Sequence, residues 1–549
     1  MKEWTKAQKL VARVIITGLM VLVFALAFRD FYQVAAGTQN WVGKFTLTWG
    51  LPLAGLIALG IVSTFWGLAW VWLPGKIAPL NRFVARWRDW LGWLRWPLVI
   101  ALPLILAKIF LYTPLGFKLT AVSFRFSFFL AIVIAMALLA SHGEKLFQWR
   151  PLLLVVLFAG AVLIFAKEFA SVTSYPLSLT WSEGNRIWDY SILYGRDFYN
   201  YPADQRIEAY IDRGRQALWG LPFLFRRVSI VHVRLWSALV FTIPYALLGW
   251  MTFRPLPDRL KQWGWLGIWT FLFLYQGPIY TPLVLSAILV AGARWKPLWI
   301  GLPLIYLAGY YAQMSRISWM VAPAMWAVML ALGDGFSKTS QSRNLTWQDW
   351  GKVILYGLAG FLGGFGLVRG WRRVFSTLEL ASEPEAITPS LGDSEPGFAE
   401  PATNVVDPVS ATGGGNFLTD QPLLWERLWP NPTYGLGLIL GLILAVAPLV
   451  ILLVYLIRSR RWKLNLWQQL GIGSILSAFL AAGLVISVKI GGGSNLHNLD
   501  MFLIGLIFAA ALAWEHGGHQ LLARLNEQPV WLNLVLLAAV LIPAFMPLV

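Results

Sequence analysis

The stretch "LLLVVLFAGAVLIFAKEF", Leu152 to Phe169, runs uncharged to Ala166 before Lys167 and Glu168 break it. It reaches the roughly 18-residue length that carries an α-helix across a bilayer, and that reading decides the fold. Similar apolar runs recur from Val11 almost to Val549. The 549-residue chain is 58% hydrophobic and only 13% charged, whereas an ordinary soluble domain carries about 25% charged residues. An all-α polytopic membrane protein is expected, with roughly fifteen transmembrane helices when apolar runs are counted between charged or Gly/Pro-marked breaks.

The net charge of +18 would point to nucleic acid in a soluble protein. Here the cations sit in short clusters between apolar runs, among them Lys76/Arg82/Arg86/Arg88/Arg95, Arg294/Lys296 and Arg458/Arg460/Arg461/Lys463. Such clusters at alternate loops mark the cytoplasmic side and leave no role for nucleic acid. The N-terminus is then expected inside, with the run from Val11 to Phe28 as a retained anchor in a plasma (inner) membrane. The absence of cysteine excludes disulfides, thiolate metal sites and thiol nucleophiles. The 32 tryptophans suit the two interfacial belts.

Counting outward from Leu152–Phe169, the next segment emerges on the extracytoplasmic side. It contains "SLTWSEGNRIWDYSILYGRDFYNYP", Ser178 to Pro202, which is rich in charge and aromatic rings. "ADQRIEAYIDRGRQALWGLPFLF" follows, with charge and apolar groups alternating as in a helix lying flat at the interface, where Arg206, Arg213 and Arg215 can meet lipid phosphates. Two further polar groups fall on the same side: "QMSRIS" around Arg316, and "VKIGGGSNLHNLD" from Val488 to Asp500. The Pro-, Gly- and acid-rich stretch around 382–415 has little to bury and is expected to be a flexible outer excursion.

Glu183, just beyond a span, is suited to general-base work, which needs a carboxylate within about 2.6 to 3.2 Å of the attacking group. The alternative is an interfacial ion pair with Arg186. Asp189 is a second candidate acid, six residues on, where it can instead pair with Arg186. Arg316 stands between apolar spans, and its planar guanidinium suits bidentate phosphate binding or, alternatively, a reach to headgroups. The glycines after Lys489 permit close backbone approach, with Asn495, His497, Asn498 and Asp500 following to hold a pyrophosphate or sugar. Glu515, His516 and His519 lack a further well-placed ligand, so no metal is assigned; a divalent ion is compatible with the outer site but not indicated.

These motifs resemble those of the GT-C superfamily of membrane glycosyltransferases, which includes protein mannosyltransferases and aminoarabinose transferases. Glu183 and Gly184 match the acid-Gly start of the first outer loop, Gly195 and Tyr199 the later pair, and "YNYP" the continuation into a membrane-lying helix. Lys489, Gly492, Gly493 and Asn495 resemble a late-loop Lys-Gly-Gly-x-Asn pattern. The resemblance implies a GT-C-like core over 151–549, with a catalytic loop at 171–232, a flexible loop at 374–430 and a four-span accessory module over 1–150. It implies a polyprenyl-phosphate-linked sugar donor at the extracytoplasmic face and a glycan, lipid or protein acceptor. Glu183 would act as base, aided by Asp189, with Arg186, Arg316, Lys489, Asn495, His497 and Asn498 holding the donor. An O-antigen ligase- or polymerase-like enzyme and a lipid-linked-sugar flippase are the competing readings. A flippase would be expected to show repeated halves and ionisable groups at mid-membrane.

Overall fold

A computed structural model describes residues 6–35, 47–118, 120–143, 145–177, 183–199, 202, 207, 211–277, 279–334, 347–366, 423–432, 434–489 and 496–546. Among these, regular structure is helical, with a single isolated bridge between Asn431 and Tyr434. Among the described residues, nine helices are long and apolar enough to cross a membrane, so the chain is a multi-pass membrane protein. The expectation of about fifteen spans counted further helices separately. Of those, Thr281–Ala293 and Val530–Phe545 are apolar but shorter.

The chain forms two compact units, Met1–Ser171 with Arg524–Val549, and Val172–Ala523. The C-terminal helix, expected within a core running from 151 to 549, groups with the N-terminal unit. The reason is visible at one crossing: Gly160, in the Trp149–Ala170 helix, lies so close to Ala544 of the Val530–Phe545 helix that a side chain there would strike its backbone. Small residues let membrane helices approach in this way where no hydrophobic drive separates helix from lipid.

The N-terminal unit contains α1 (Lys6–Ala35), α2 (Leu47–Trp72), α3 (Pro74–Trp90), α4 (Arg95–Tyr112), α5 (Pro114–Lys118), α6 (Val122–Ala140) and α7 (Trp149–Ala170). Most are apolar throughout, as lipid-embedded helices are. In α3, by contrast, five charged residues are spread through 17 and leave no apolar stretch long enough to span.

In the second unit, α8 (Glu183–Ser191) and α9 (Arg213–Trp219) precede α10 (Ile230–Val240) and α11 (Ile243–Thr252). Together α10 and α11 make one apolar span. At its start Ser229 and His232 form a reciprocal capping box, satisfying donors that the first helical turn leaves open. Then come α12 (Leu260–Tyr275), α13 (Thr281–Ala293), α14 (Leu298–Ser315), α15 (Ala322–Asp334) and α16 (Trp347–Phe365), followed by helices Gly437–Arg458, Leu466–Lys489 and Asp500–Ala513. Glycines on α16 bring three helices together: Gly360 abuts Ala324 of α15, Gly363 the Tyr306 backbone of α14, and Gly364 the Met320 backbone. The stretch 382–415, expected to be flexible, lies outside the described residues.

Candidate functional site

α8 begins at Glu183, and both carboxylate oxygens accept from Arg234 of α10: Nε donates to Oε1 and Nη2 to Oε2, each at 2.9 Å. Arg234 is almost fully buried, and its remaining donors reach the carbonyls of Thr173 and Tyr175 at 2.7 Å and of Pro176 at 3.3 Å. One guanidinium therefore ties the segment entering α8 to the head of α10. This forked geometry is the one a planar Arg supplies and a Lys does not. The ion pair foreseen for Glu183 exists, with Arg234 in the place considered for Arg186, which is exposed. A charge buried at the start of a span needs a partner, and Arg234 in "VHVRLW" was the signal in the sequence.

Beyond α8 the chain turns at Gly195, whose N–H donates to the Ser191 carbonyl at 2.7 Å. Tyr199 folds back so that its ring lies 4.4 Å from that of Trp188 and its hydroxyl meets Ser191 Oγ. The Gly195/Tyr199 pair thus closes α8 on itself. Asp189 is buried beneath this turn, and its carbonyl accepts from Gln216 Nε2 of α9 at 2.9 Å. Gly214 lets α9 sit against the end of α14, where Tyr311 donates to the Gly214 carbonyl at 3.1 Å.

That contact carries α9 to one end of the helices, where α13 begins, α14 ends, the Ile317–Asp334 span begins and the Leu496–Ala523 span begins. Tyr190 feels the Arg215 charge, and Arg215 lies 5.2 Å from the Tyr280 ring centroid. Tyr280 is 5.8 Å from Trp319 and meets His497 edge-on at 6.1 Å. Arg316 lies 5.6 Å from the Trp319 ring, and its Nη2 reaches Asn498 Oδ1 at 3.4 Å. His497, Asp500 and Asp212 all feel the Arg316 charge. The three polar groups picked out in the sequence thus meet in a single network.

Among the described residues, Arg215 Nε, Asn498 Nδ2 and Asp500 Oδ2 are buried with no hydrogen-bond partner. Buried polar atoms are nearly always satisfied, so such a cluster calls for a polar ligand or water. Two of these atoms are donors, two arginines stand beside them, and helix N-termini at Thr281, Ile317 and Leu496 add positive potential. The composition favours an anion. Asp212 is solvent-exposed, but surrounding protein still desolvates it enough to raise its carboxyl above the usual range, opposed by Arg215 and Arg316.

The candidate residues divide accordingly. Arg316, His497 and Asn498 belong to the network, while Arg186 reaches it only through its field at Tyr190. Lys489 is buried at the end of its helix, and Asn495 lies outside the described residues, as does Arg206. Asp212, Tyr190, Tyr280 and Trp319 were not singled out, because their partners lie far away in sequence. No group of three or more His, Cys, Asp or Glu able to hold a metal occurs among the described residues. His516 and His519 instead turn their Nδ1 atoms to the Leu512 and Trp514 carbonyls.

Comparison of the chain with protein-family models, curated proteins and solved structures finds no match.

Proposed function

We propose that the chain is a membrane glycosyltransferase that takes a sugar from a polyprenyl-phosphate donor at the helix ends around Arg215, Arg316 and Asn498. The observation that carries this reading is the pair of buried donors, Arg215 Nε and Asn498 Nδ2, which have no partner among the described residues and stand beside the two guanidinium groups. A phosphate ester fits them in charge, and a polyprenyl tail fits the apolar helices leading away. The active face is extracytoplasmic by the distribution of Lys and Arg clusters.

In the reaction the acceptor hydroxyl or amide attacks the anomeric carbon and its proton passes to a carboxylate. The bond from that carbon to the phosphate oxygen breaks, and polyprenyl phosphate departs with the added negative charge. Arg215 and Arg316 stabilise that charge where it develops, an electrostatic contribution that can exceed the base's. Of the acids, Asp212 is both solvent-accessible and within the field of the two arginines. Burial raises its pKa, the direction that makes a carboxylate a stronger base. Glu183, forked by Arg234, holds α8 and through it the wall of the site.

The test is binding of polyprenyl phosphate to the detergent-purified protein, with the unphosphorylated polyprenol as control. Arg316→Ala and Arg215→Ala should each weaken phosphate-dependent binding about 10- to 100-fold, the scale of a lost hydrogen bond to a charged group. Equal binding of the phosphate and the alcohol, or unchanged affinity in both variants, would overturn the reading.

A further inference from the structure

Between the membrane helices α2 and α4, α3 presents three distinct faces. Ile77, Ala85 and Arg88 form the first and are buried. It is fastened from both sides: Arg88 donates to the Lys145 carbonyl at 3.1 Å and to the Gly143 carbonyl, and Trp66 Nε1 of α2 donates to Asn81 Oδ1 at 3.3 Å. The second face is apolar yet exposed, with Leu80 at 50%, Phe83 at 61%, Trp87 at 50% and Trp90 at 80%. Spacings of three and four residues put these side chains in one stripe along the helix. Trp93 and Leu94 prolong the exposed apolar surface beyond the helix, in the Gly92–Leu94 turn.

The third face is basic. Arg82 and Arg86 are exposed one turn apart on it, while Lys76, four residues before Leu80, is exposed at the N-terminal end of the apolar stripe, from which its long side chain can reach the headgroups. The face has one carboxylate, Asp89, already taken by Arg88 at 2.8 Å; that hydrogen bond and the Arg88 and Arg95 charges lower its pKa against the opposing effect of burial. Among the described residues, no acid pairs with these exposed cations. At 17 residues, or about 26 Å, the helix has the length to lie along a membrane surface. An exposed stripe of large apolar side chains beside a basic stripe is the pattern of an interfacial helix.

We propose that α3 binds anionic phospholipid headgroups through Lys76, Arg82 and Arg86, with Leu80 and Phe83 seated among the acyl chains beneath them and Trp87 and Trp90 at the boundary between the two. Charge decides between occupants: a second copy would bring like charges together at this face, whereas anionic headgroups complement them. Trp87 and Trp90 suit the headgroup level, where one edge of an indole is wet and the other apolar.

The absence of cysteine makes the test direct. Nitroxide labels on Phe83→Cys and Arg82→Cys would be examined in nanodiscs of phosphatidylcholine alone and of phosphatidylcholine mixed with phosphatidylglycerol. The Phe83 label should be accessible to oxygen and shielded from a water-soluble nickel chelate, with the reverse at Arg82. A fluorophore at Phe83→Cys should also be quenched more by brominated phosphatidylglycerol than by brominated phosphatidylcholine. Each of Lys76→Gln, Arg82→Gln and Arg86→Gln should reduce that preference about two- to fivefold, the effect of one cation at an anionic surface. A water-exposed Phe83 label, dipolar coupling between labels on two copies, or equal quenching by both lipids in the parent chain would each overturn the proposal. These readouts need no sugar donor, so they stand apart from the test of the transferase reading.

Discussion

At the residue scale, the Arg234-bound Glu183 and the proposed base Asp212 should separate on substitution. Glu183→Gln weakens a buried forked pair while leaving Arg234 in place. Breaking such a pair by removing one partner costs about 3–5 kcal/mol, and the amide, which keeps one acceptor, should lose less than that. The expected result is a lower unfolding temperature of the purified protein, with turnover of the folded fraction within about tenfold of the parent. Asp212→Asn should leave the unfolding temperature nearly unchanged and reduce turnover about 10²-fold, the usual scale for loss of a general base. The pH profile supplies an independent check. A base works only when deprotonated, so a raised Asp212 pKa places the acidic fall of kcat/KM above the usual carboxylate range of about 3.9. Asp212→Asn should remove that limb. If Glu183→Gln instead abolished turnover in stable protein, the base would be Glu183. The contrast also shows what was legible: the importance of Glu183 follows from an acid beside a span, but its partner is 51 residues away.

At the element scale, local pattern revealed the helices, and small residues reveal how they meet. Gly309 and Gly363 face across the α14–α16 crossing, where an added side chain would meet the Gly360 and Tyr306 carbonyls respectively. A backbone cannot yield as a flexible side chain can. Gly363→Leu should therefore separate α14 from α16 and cost at least about 1–3 kcal/mol, the range for overpacking. Gly351 provides the control, since a Cβ there meets nothing within 4 Å. Gly351→Ala should be neutral or stabilise by up to about 1 kcal/mol. Thermal unfolding followed by size-exclusion chromatography would distinguish them; a Gly363→Leu protein as monodisperse and heat-resistant as the parent would refute this packing account. Apolar runs alone could not give these pairings, because each helix is apolar around most of its circumference.

At the scale of the second unit, the ends of its helices differ in a way that a sequence read loop by loop exposes only in part. One end gathers Arg215, Arg316 and Asn498. At the other, Arg294 follows the last residue of α13 and donates to Asp334 Oδ1 at 3.0 Å and Glu515 Oε1 at 2.8 Å, joining the ends of α13 and α15 to a turn after Asp500–Ala513. The turn is possible because Gly517 adopts φ of +132°, a conformation that L side chains rarely take. Arg294 was legible as a cationic loop marker, but its two acidic partners were separated from it by 40 and 221 residues. From the distribution of Lys and Arg clusters we propose that this end is cytoplasmic and the Arg316 end outside. Single cysteines at the exposed positions Asn185 and Lys296 test that assignment in intact cells. An impermeant maleimide should label Asn185→Cys directly and Lys296→Cys only after the membrane is opened. The opposite pattern would turn the unit over, placing the proposed donor site in the cytoplasm and removing the polarity on which an extracytoplasmic transferase depends. Labelling of both sites in sealed cells would mean that the α13 helix does not separate two aqueous faces, and the assignment of its ends would fall with it.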